Sequence, residues 1–137
     1  MKNRPLTALA ALPCAVLLLT SCSLLDPHKK LTIEYVVNEA WPDGPKVTSN
    51  PVETTDEVCG EQPDCVEAWS TDEADYLRFT SRQQATDYAD ALEDGFVSNY
   101  IVMDFDSKLA SVEDQLLAMQ SLDGIWQDGE GPYPDRG

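Results

Sequence analysis

The chain has 137 residues, four cysteines and a formal net charge of −16. This length provides for one domain and excludes a large enzyme scaffold such as a TIM barrel, which needs about 250 residues. Hydrophobic residues make up 42%, so the chain is not a wholly disordered acidic tail. With 25 acidic residues against 9 basic ones, it is poorly suited to bind nucleic acid through charge, and we expect no nucleic-acid partner.

The N-terminus has the layout of a secretory signal: Lys2 and Arg4 precede an almost wholly apolar run over residues 6–20. The run ends in an aliphatic residue, two small residues and a cysteine, which are Leu19, Thr20, Ser21 and Cys22. These four residues resemble the lipobox of bacterial lipoproteins. The alternative is an uncleaved membrane-spanning helix, because residues 5–25 contain no charged residue.

The resemblance implies cleavage of the signal peptide, residues 1–21, and transfer of a diacylglyceryl group to the Cys22 thiol. The mature protein would be held outside the cytoplasm by acyl chains of the palmitate type, on the plasma membrane or, in a Gram-negative bacterium, in the outer membrane. It would keep 116 residues with a net charge of −18, because the signal carries two basic residues and no acid. Residues 22–30 would form the lipidated cysteine and a tether, of which residues 23–30 reach at most roughly 28 Å.

Two cysteines remain for the mature domain, Cys59 and Cys65, with Gly60 and Pro63 between them. Outside the cytoplasm this spacing predicts a disulfide-closed loop. A thioredoxin-type redox pair would need Cys-x-x-Cys, and a zinc site would need four ligands, whereas the only histidine is His28 in the tether. We therefore expect a structural disulfide, with no metal and no cofactor.

The first predicted element of the domain is a half-buried strand over residues 31–37, because apolar and polar residues alternate there. Turn-forming residues at 41–45 end it. Residues 46–58 are rich in Thr, Ser, Asn and acid, which predicts an irregular connection with a short edge strand near Val47.

A strand over residues 65–71, a turn over 72–74 and a strand over 76–80 follow, with Leu77 and Phe79 on one face. Ser81 and Gln84 form a capping box that begins a helix. Its apolar face is spaced i, i+3, i+4, i+7 and consists of Ala85, Tyr88, Ala89 and Leu92.

Gly95 is placed to end this helix, and residues 96–105 return to strand, interrupted by Asn99. A second helix is predicted from Ser111, capped with Asp114 and ended by Gly124. Its predicted apolar stripe is Val112, Leu116 and Met119, widened by Leu117. Residues 125–137 read as a C-terminal tail, partly disordered.

These elements predict an α+β fold in the order β-loop-β-β-α-β-α, forming one domain over residues 31–124. We expect a small mixed sheet of about four strands with both helices on one face. If the strands at 76–80 and 96–105 are parallel in one sheet, their connection is a right-handed crossover.

No nucleophile–base set for catalysis is visible, because the single histidine lies in the tether. The pattern favours a non-enzymatic binding module of the cell envelope whose partner is a protein with a basic surface. Binding of calcium or a small solute is the alternative, through acidic clusters such as Asp72, Glu73 and Asp75; a small envelope hydrolase is less favoured. Trp41 and Trp126, at element ends, are candidate partner contacts, unless they are buried in the core.

Overall fold

A computed structural model describes residues 26–44, 47–126 and 133. The expected signal peptide, Cys22 and most of the expected tail lie outside these residues. The helices are α1 (Ile33–Asn38), α2 (Thr55–Val58), α3 (Arg82–Asp90) and α4 (Val112–Asp123). The strands are β1 (Val52–Glu53), β2 (Glu67–Ser70), β3 (Asp75–Arg78), β4 (Gly95–Ser98) and β5 (Ile101–Asp104). Within the described ranges, no helix has the length and apolar character needed to cross a bilayer.

The predicted α+β class is confirmed, with five strands in the sheet. Their order is β1-β2-β3-β5-β4, and every neighbouring pair is antiparallel, so the sheet is not mixed as expected. Because β3 and β4 are both antiparallel to β5, they run parallel to each other with β5 between them. The connection through α3 is therefore a split β-α-β unit rather than a crossover between adjacent strands.

The strand predicted over residues 31–37 is wrong, because this segment forms α1. Thr32 caps the helix, its hydroxyl accepting a hydrogen bond from the Tyr35 N–H at 3.3 Å. The buried residues follow the helical spacing i, i+3, i+4 and are Ile33, Val36 and Val37. Tyr35, which the alternation placed inside, is exposed. In so short a segment the apolar residues fit both the spacing of a helix and the alternation of a strand, so sequence periodicity alone does not distinguish the two structures.

A buried ion pair joins α1 to the sheet. The Arg78 guanidinium donates to the Glu67 carboxylate at 2.7 Å, across neighbouring positions of β2 and β3. The other oxygen of Glu67 accepts the backbone N–H of Glu34 at 2.9 Å, in the first turn of α1. This contact satisfies a helix N–H that has no partner within the helix, which favours a helix here.

The connection over residues 46–58 also contains more structure than predicted. Val47 is buried in the core but is not part of a strand. The edge strand is β1, five residues later, and it pairs with β2 through Val52 and Glu53. The short helix α2 follows it at once.

The single strand predicted over residues 96–105 is wrong, because it is a hairpin of β4 and β5. Asn99 and Tyr100 form the two-residue turn, and Asn99 has φ 56°. Asparagine tolerates this left-handed conformation better than other residues with a side chain, so it marks the turn. The apolar residues on either side are continuous enough to imitate one long strand.

The start of α3 is confirmed, and its end is not. Ser81 caps the helix by accepting the Gln84 N–H at 3.2 Å. The helix ends at Asp90, and Gly95 instead begins β4. A Cβ at Gly95 would lie 2.8 Å from Leu92 Cδ1 and 3.2 Å from the Ala89 carbonyl oxygen, so glycine allows β4 to start directly against the end of α3.

The two long helices lie on opposite faces of the sheet, which corrects the expectation that both share one face. Tyr76 and Met103 belong to the larger core cluster, together with residues of α1 and α4. Leu77 and Val102 belong to the smaller cluster, together with α3 and the disulfide. Because successive strand residues point to opposite faces, these two pairs identify two covered faces and a three-layer domain.

The ends of α4 are confirmed, and its buried stripe is rotated from the predicted one. Ser111 caps the helix and Gly124 is its C-cap. Val112 is exposed, and Leu116 and Leu117 are only partly buried against the larger cluster. The buried residues are Gln115, Ala118, Met119 and Leu122.

The expected disulfide between Cys59 and Cys65 is confirmed. Cys65 is buried in the smaller cluster and Cys59 packs against it. The loop also contains a backbone hydrogen bond from Gly60 N–H to the Pro63 carbonyl at 3.0 Å. The cross-link therefore attaches the loop between α2 and β2 to the face of the sheet that α3 covers.

We predict that replacing both cysteines, Cys59→Ser with Cys65→Ser, lowers the free energy of unfolding by about 2 kcal/mol, because the unfolded chain loses a closed loop. Urea denaturation measures this change. Reductant should destabilise the wild-type protein by a similar amount and leave the double variant unaffected. Equal stability of the oxidised and reduced wild-type protein would contradict the prediction.

Candidate functional site

The four-residue strands β2 to β5 have two ends, which carry different groups. We call one end the tether end, because Asp26 of the N-terminal segment binds Tyr100 there. At this end Glu67 pairs with Arg78, and Ser98 pairs with Ile101. The opposite end, at which Ser70, Asp75, Asp104 and Gly95 pair, is called the distal end. Both faces of the sheet are largely covered, and a cleft of only about 260 Å3 opens over β2 and β3 beside α3.

A cleft of about 710 Å3 opens at the distal end. Its walls are the β2–β3 turn at residues 71–73 and the loop at 107–110. Leu109 stands at this cleft with its side chain 99% exposed, whereas large apolar side chains elsewhere in the described ranges are far less exposed. We call this surface the distal cleft.

One wall of the distal cleft depends on Lys108. Its ammonium group lies 2.6 Å from Asp75 Oδ1, 2.8 Å from the Thr71 carbonyl oxygen and 3.0 Å from Ser70 Oγ. Three partners match the three N–H donors of a lysine, and the side chain is only 14% exposed. The loop is therefore attached to the ends of β2 and β3 by a satisfied, largely buried cation.

The turn at residues 105–108 directs Lys108 inward and leaves Leu109 outside. Lys108 N–H bonds to the Phe105 carbonyl at 3.1 Å, and Phe105 is buried in the larger cluster. Ser107 has φ 64°, in the left-handed region that residues with a side chain rarely adopt. The exposed leucine thus lies on an anchored turn rather than on a loose loop.

The facing wall is held by carboxylates that bind backbone and amide groups. Glu73 is buried, and its carboxylate accepts the Ser49 N–H at 2.8 Å. Asp72 accepts the Asn50 side-chain amide at 2.7 Å. These contacts join the β2–β3 turn to residues 49–50 and give this wall its acidic character.

Asp104 lies next to Asp75 across β5 and β3, close to Asp106. Burial raises the pKa of Asp104, and the charges of Asp106 and Asp75 raise it further, although the Asp106 N–H and Lys108 act in the opposite direction. The ionised carboxylate is thus disfavoured in the folded protein.

The polar side chains at the distal cleft bind one another and the backbone. Ser70 Oγ donates to Asp75 and accepts from Lys108, which also contacts Asp75 and the Thr71 carbonyl oxygen. Among residues 26–44 and 47–126, no group of three or more histidine, cysteine or acidic side chains is arranged to hold a metal ion. The acids suggested for calcium, Asp72 and Glu73, instead bind protein groups.

The candidate partner contacts Trp41 and Trp126 are not part of the distal cleft. Trp41 is 45% exposed, and its indole N–H donates to the Ser121 carbonyl at 3.2 Å. It lines a separate cleft of about 600 Å3, which shares Ser49 with the distal cleft. Trp126 is half-buried in a 3-10 turn after α4. Cys22 lies outside the described residues.

Comparison with known proteins adds no relative. No protein-family model, curated protein or solved structure matches this chain. The site is therefore identified from its own geometry, and sequence reasoning missed its two main residues, Lys108 and Leu109. One signal was present: Lys108 is the only basic residue between Arg82 and Arg136, and it directly precedes an apolar pair.

We predict that Asp104→Asn stabilises the protein near neutral pH. The pKa of Asp104 is raised in the folded protein. The contribution of Asp104 to the free energy of unfolding is therefore fully present when pH is below 3.8, the ordinary pKa, and is lost as pH rises through the pKa of the folded state. Asparagine keeps the acceptor for the Asp106 N–H, which lies 2.9 Å from Asp104 Oδ1. Urea midpoints at about pH 7 should exceed those of the wild type, and the gain should vanish at about pH 3.5.

Asp43→Asn is the matched control, because Asp43 is exposed in a turn and should show little effect at either pH. A gain for Asp104→Asn that is equal at both pH values would contradict the ionisation argument.

Proposed function

We propose that this protein is a lipid-anchored, extracytoplasmic module of the bacterial cell envelope that binds a partner protein and has no catalytic activity of its own. The observation that carries this proposal is Leu109, a fully exposed leucine on a turn that the buried Lys108 anchors. None of the described residues covers the Leu109 side chain, so it is surrounded by solvent. Burying it against a partner gains about 1.5–3 kcal/mol.

The partner surface is expected to be basic around an apolar pocket. Exposed acids surround Leu109, among them Asp72, Asp106 and Asp114. Charges at the rim of an interface mainly steer association and select the partner, whereas the buried apolar anchor supplies affinity. A basic envelope protein fits both features.

The Cys59–Cys65 disulfide supports a location outside the cytoplasm, where such bonds persist. The lipobox-like residues 19–22 supply the proposed anchor. Two acyl chains hold a protein stably on a membrane, whereas one chain holds it only marginally.

Binding of a small solute is the second candidate, and the size of the clefts favours it. Two clefts of about 600 and 710 Å3 are open in the part of the chain that the structure describes. Ligand sites have volumes of about 300–1,000 Å3. Leu109 favours a protein partner, because a polar solute gains nothing from an exposed leucine.

We predict that Cys22→Ala prevents lipid attachment, so that the protein keeps its signal uncut or is released from the membrane. Mass spectrometry of the isolated protein and fractionation of cells measure both effects. Cys14→Ala is the matched control, because this cysteine lies in the apolar run and should leave processing unchanged. Normal cleavage and membrane retention of Cys22→Ala would disprove the lipid anchor.

We further predict that a photo-crosslinking amino acid at position 109 captures a protein partner in intact cells. The same probe at position 66 is the control, because Val66 is also exposed but lies at the tether end. Leu109→Ser should weaken the complex roughly tenfold or more without changing protein stability, since a buried leucine contributes about 1.5–3 kcal/mol. Binding should also weaken as salt is added.

Equal capture at positions 109 and 66 would argue against the distal cleft as the partner surface. No capture at position 109, together with a higher melting temperature in calcium or a small solute, would favour the solute-binding candidate.

A further inference from the structure

Asp26 attaches the N-terminal segment to the tether end of the sheet. Its carboxylate accepts the Arg82 guanidinium at 2.7 Å and the Tyr100 hydroxyl at 2.9 Å. The Arg82 guanidinium also lies over the Tyr100 ring, 5.5 Å from its centroid. Residues 27–30 continue as a 3-10 turn capped by Asp26, so this part of the expected tether is folded onto the domain.

This attachment persists at neutral pH. Partial burial acts to raise the pKa of Asp26, but hydrogen bonds from His28 and Tyr100 and the charge of Arg82 outweigh it and lower the pKa to about 2. The carboxylate is thus ionised, and its contribution to stability is lost only as pH falls from the ordinary value of 3.8 through about 2.

The basic side chains are distributed unevenly. Among the described residues there are five lysines and arginines, and the exposed ones are Lys29, Lys30 and Arg82, all at the tether end. Of the other two, Arg78 pairs with Glu67, and Lys108 is largely buried. We call Lys29, Lys30 and Arg82 the basic collar. The distal end carries many exposed acids instead.

We propose that the basic collar lies against the anionic headgroups of the membrane that anchors the protein, so that the distal cleft points away from the bilayer. This inference rests on the proposed membrane attachment. Asp26 follows Cys22 by four residues, a reach of at most roughly 14 Å at about 3.5 Å per residue. The collar therefore stays close to the surface whenever residue 22 is anchored.

The protein has a strongly negative net charge, but charges close to the membrane act on it more strongly than distant ones, because salt screens charges with distance. The Debye length is about 8–10 Å at physiological salt, and four-residue strands separate the two ends by roughly 10 Å. Over about one Debye length the potential falls roughly threefold, so acids at the distal end repel the surface less than acids at the tether end would. Each lysine close to anionic lipid strengthens the contact about fivefold. Three exposed acids oppose the collar: Glu61 and Asp64 on the disulfide loop, with Asp64 3.3 Å from the Gln84 amide, and Glu34, whose N–H binds Glu67 at the tether end. Asp26 pairs with Arg82, so Lys29 and Lys30 supply most of the attraction to the headgroups.

The test uses the full chain reconstituted in vesicles that contain phosphatidylglycerol and a headgroup-bound gadolinium chelate. A nitroxide is attached to a single introduced cysteine, either Gln83→Cys next to the collar or Leu109→Cys at the distal end; both positions are exposed. We expect much faster gadolinium-induced relaxation at position 83 than at 109. Vesicles of phosphatidylcholine alone should reduce this difference.

Lys29→Gln with Lys30→Gln should reduce the difference in the same way. The matched control is Val52→Glu with Val112→Glu, which also makes the net charge two units more negative but at exposed positions of the distal end, where Val52 pairs with Ser70, and it should keep the difference. Equal relaxation at positions 83 and 109 in membrane-bound protein would overturn the orientation and leave the anchor intact. A chain that stays in the aqueous phase would overturn the proposed anchor and this inference together.

Discussion

Both faces of the five-stranded sheet are buried, and this constraint determines where the protein can present a surface. One face packs against α1 and α4, and the other packs against α3 and the disulfide loop. A sheet covered in this way leaves the strand ends, the edges and the loops for recognition. The strands between are only four residues long, so the two ends are separate surfaces within one small domain.

Each strand end is held by an ion pair in which one charged group is largely buried, Glu67 at the tether end and Lys108 at the distal end. At the tether end Glu67 binds Arg78 and the first turn of α1. At the distal end Lys108 binds Asp75 and holds the turn that displays Leu109. Removing Arg78 or Asp75 would leave the buried charge of Glu67 or Lys108 uncompensated, which costs more than an exposed pair contributes. The Lys108 contacts that hold the distal end thus also position the turn on which Leu109 is exposed.

Short-range signals predicted the parts of the fold that depend on neighbouring residues. The caps at Ser81 and Ser111 and the Cys59–Cys65 loop are satisfied within a few residues, so the sequence was sufficient for them. Prediction failed where one apolar pattern fits two structures. The segment 31–37 alternates like a strand but packs as a helix, and the hairpin at 95–104 resembles one strand because Asn99 is the only interruption.

The sequence by itself determined the α+β class, the disulfide, the acidic character and the lipobox-like pattern, because each depends on composition or on residues that are close together in the chain. Only the tertiary structure decided that α3 and α4 take opposite faces, that Lys108 turns inward, and that the exposed cations among the described residues gather at the Asp26 end. These features join residues from distant parts of the chain. Their physical reason is the burial of both sheet faces, which brings Asp26 to Arg82 and Lys108 to Asp75 only once the layers have packed.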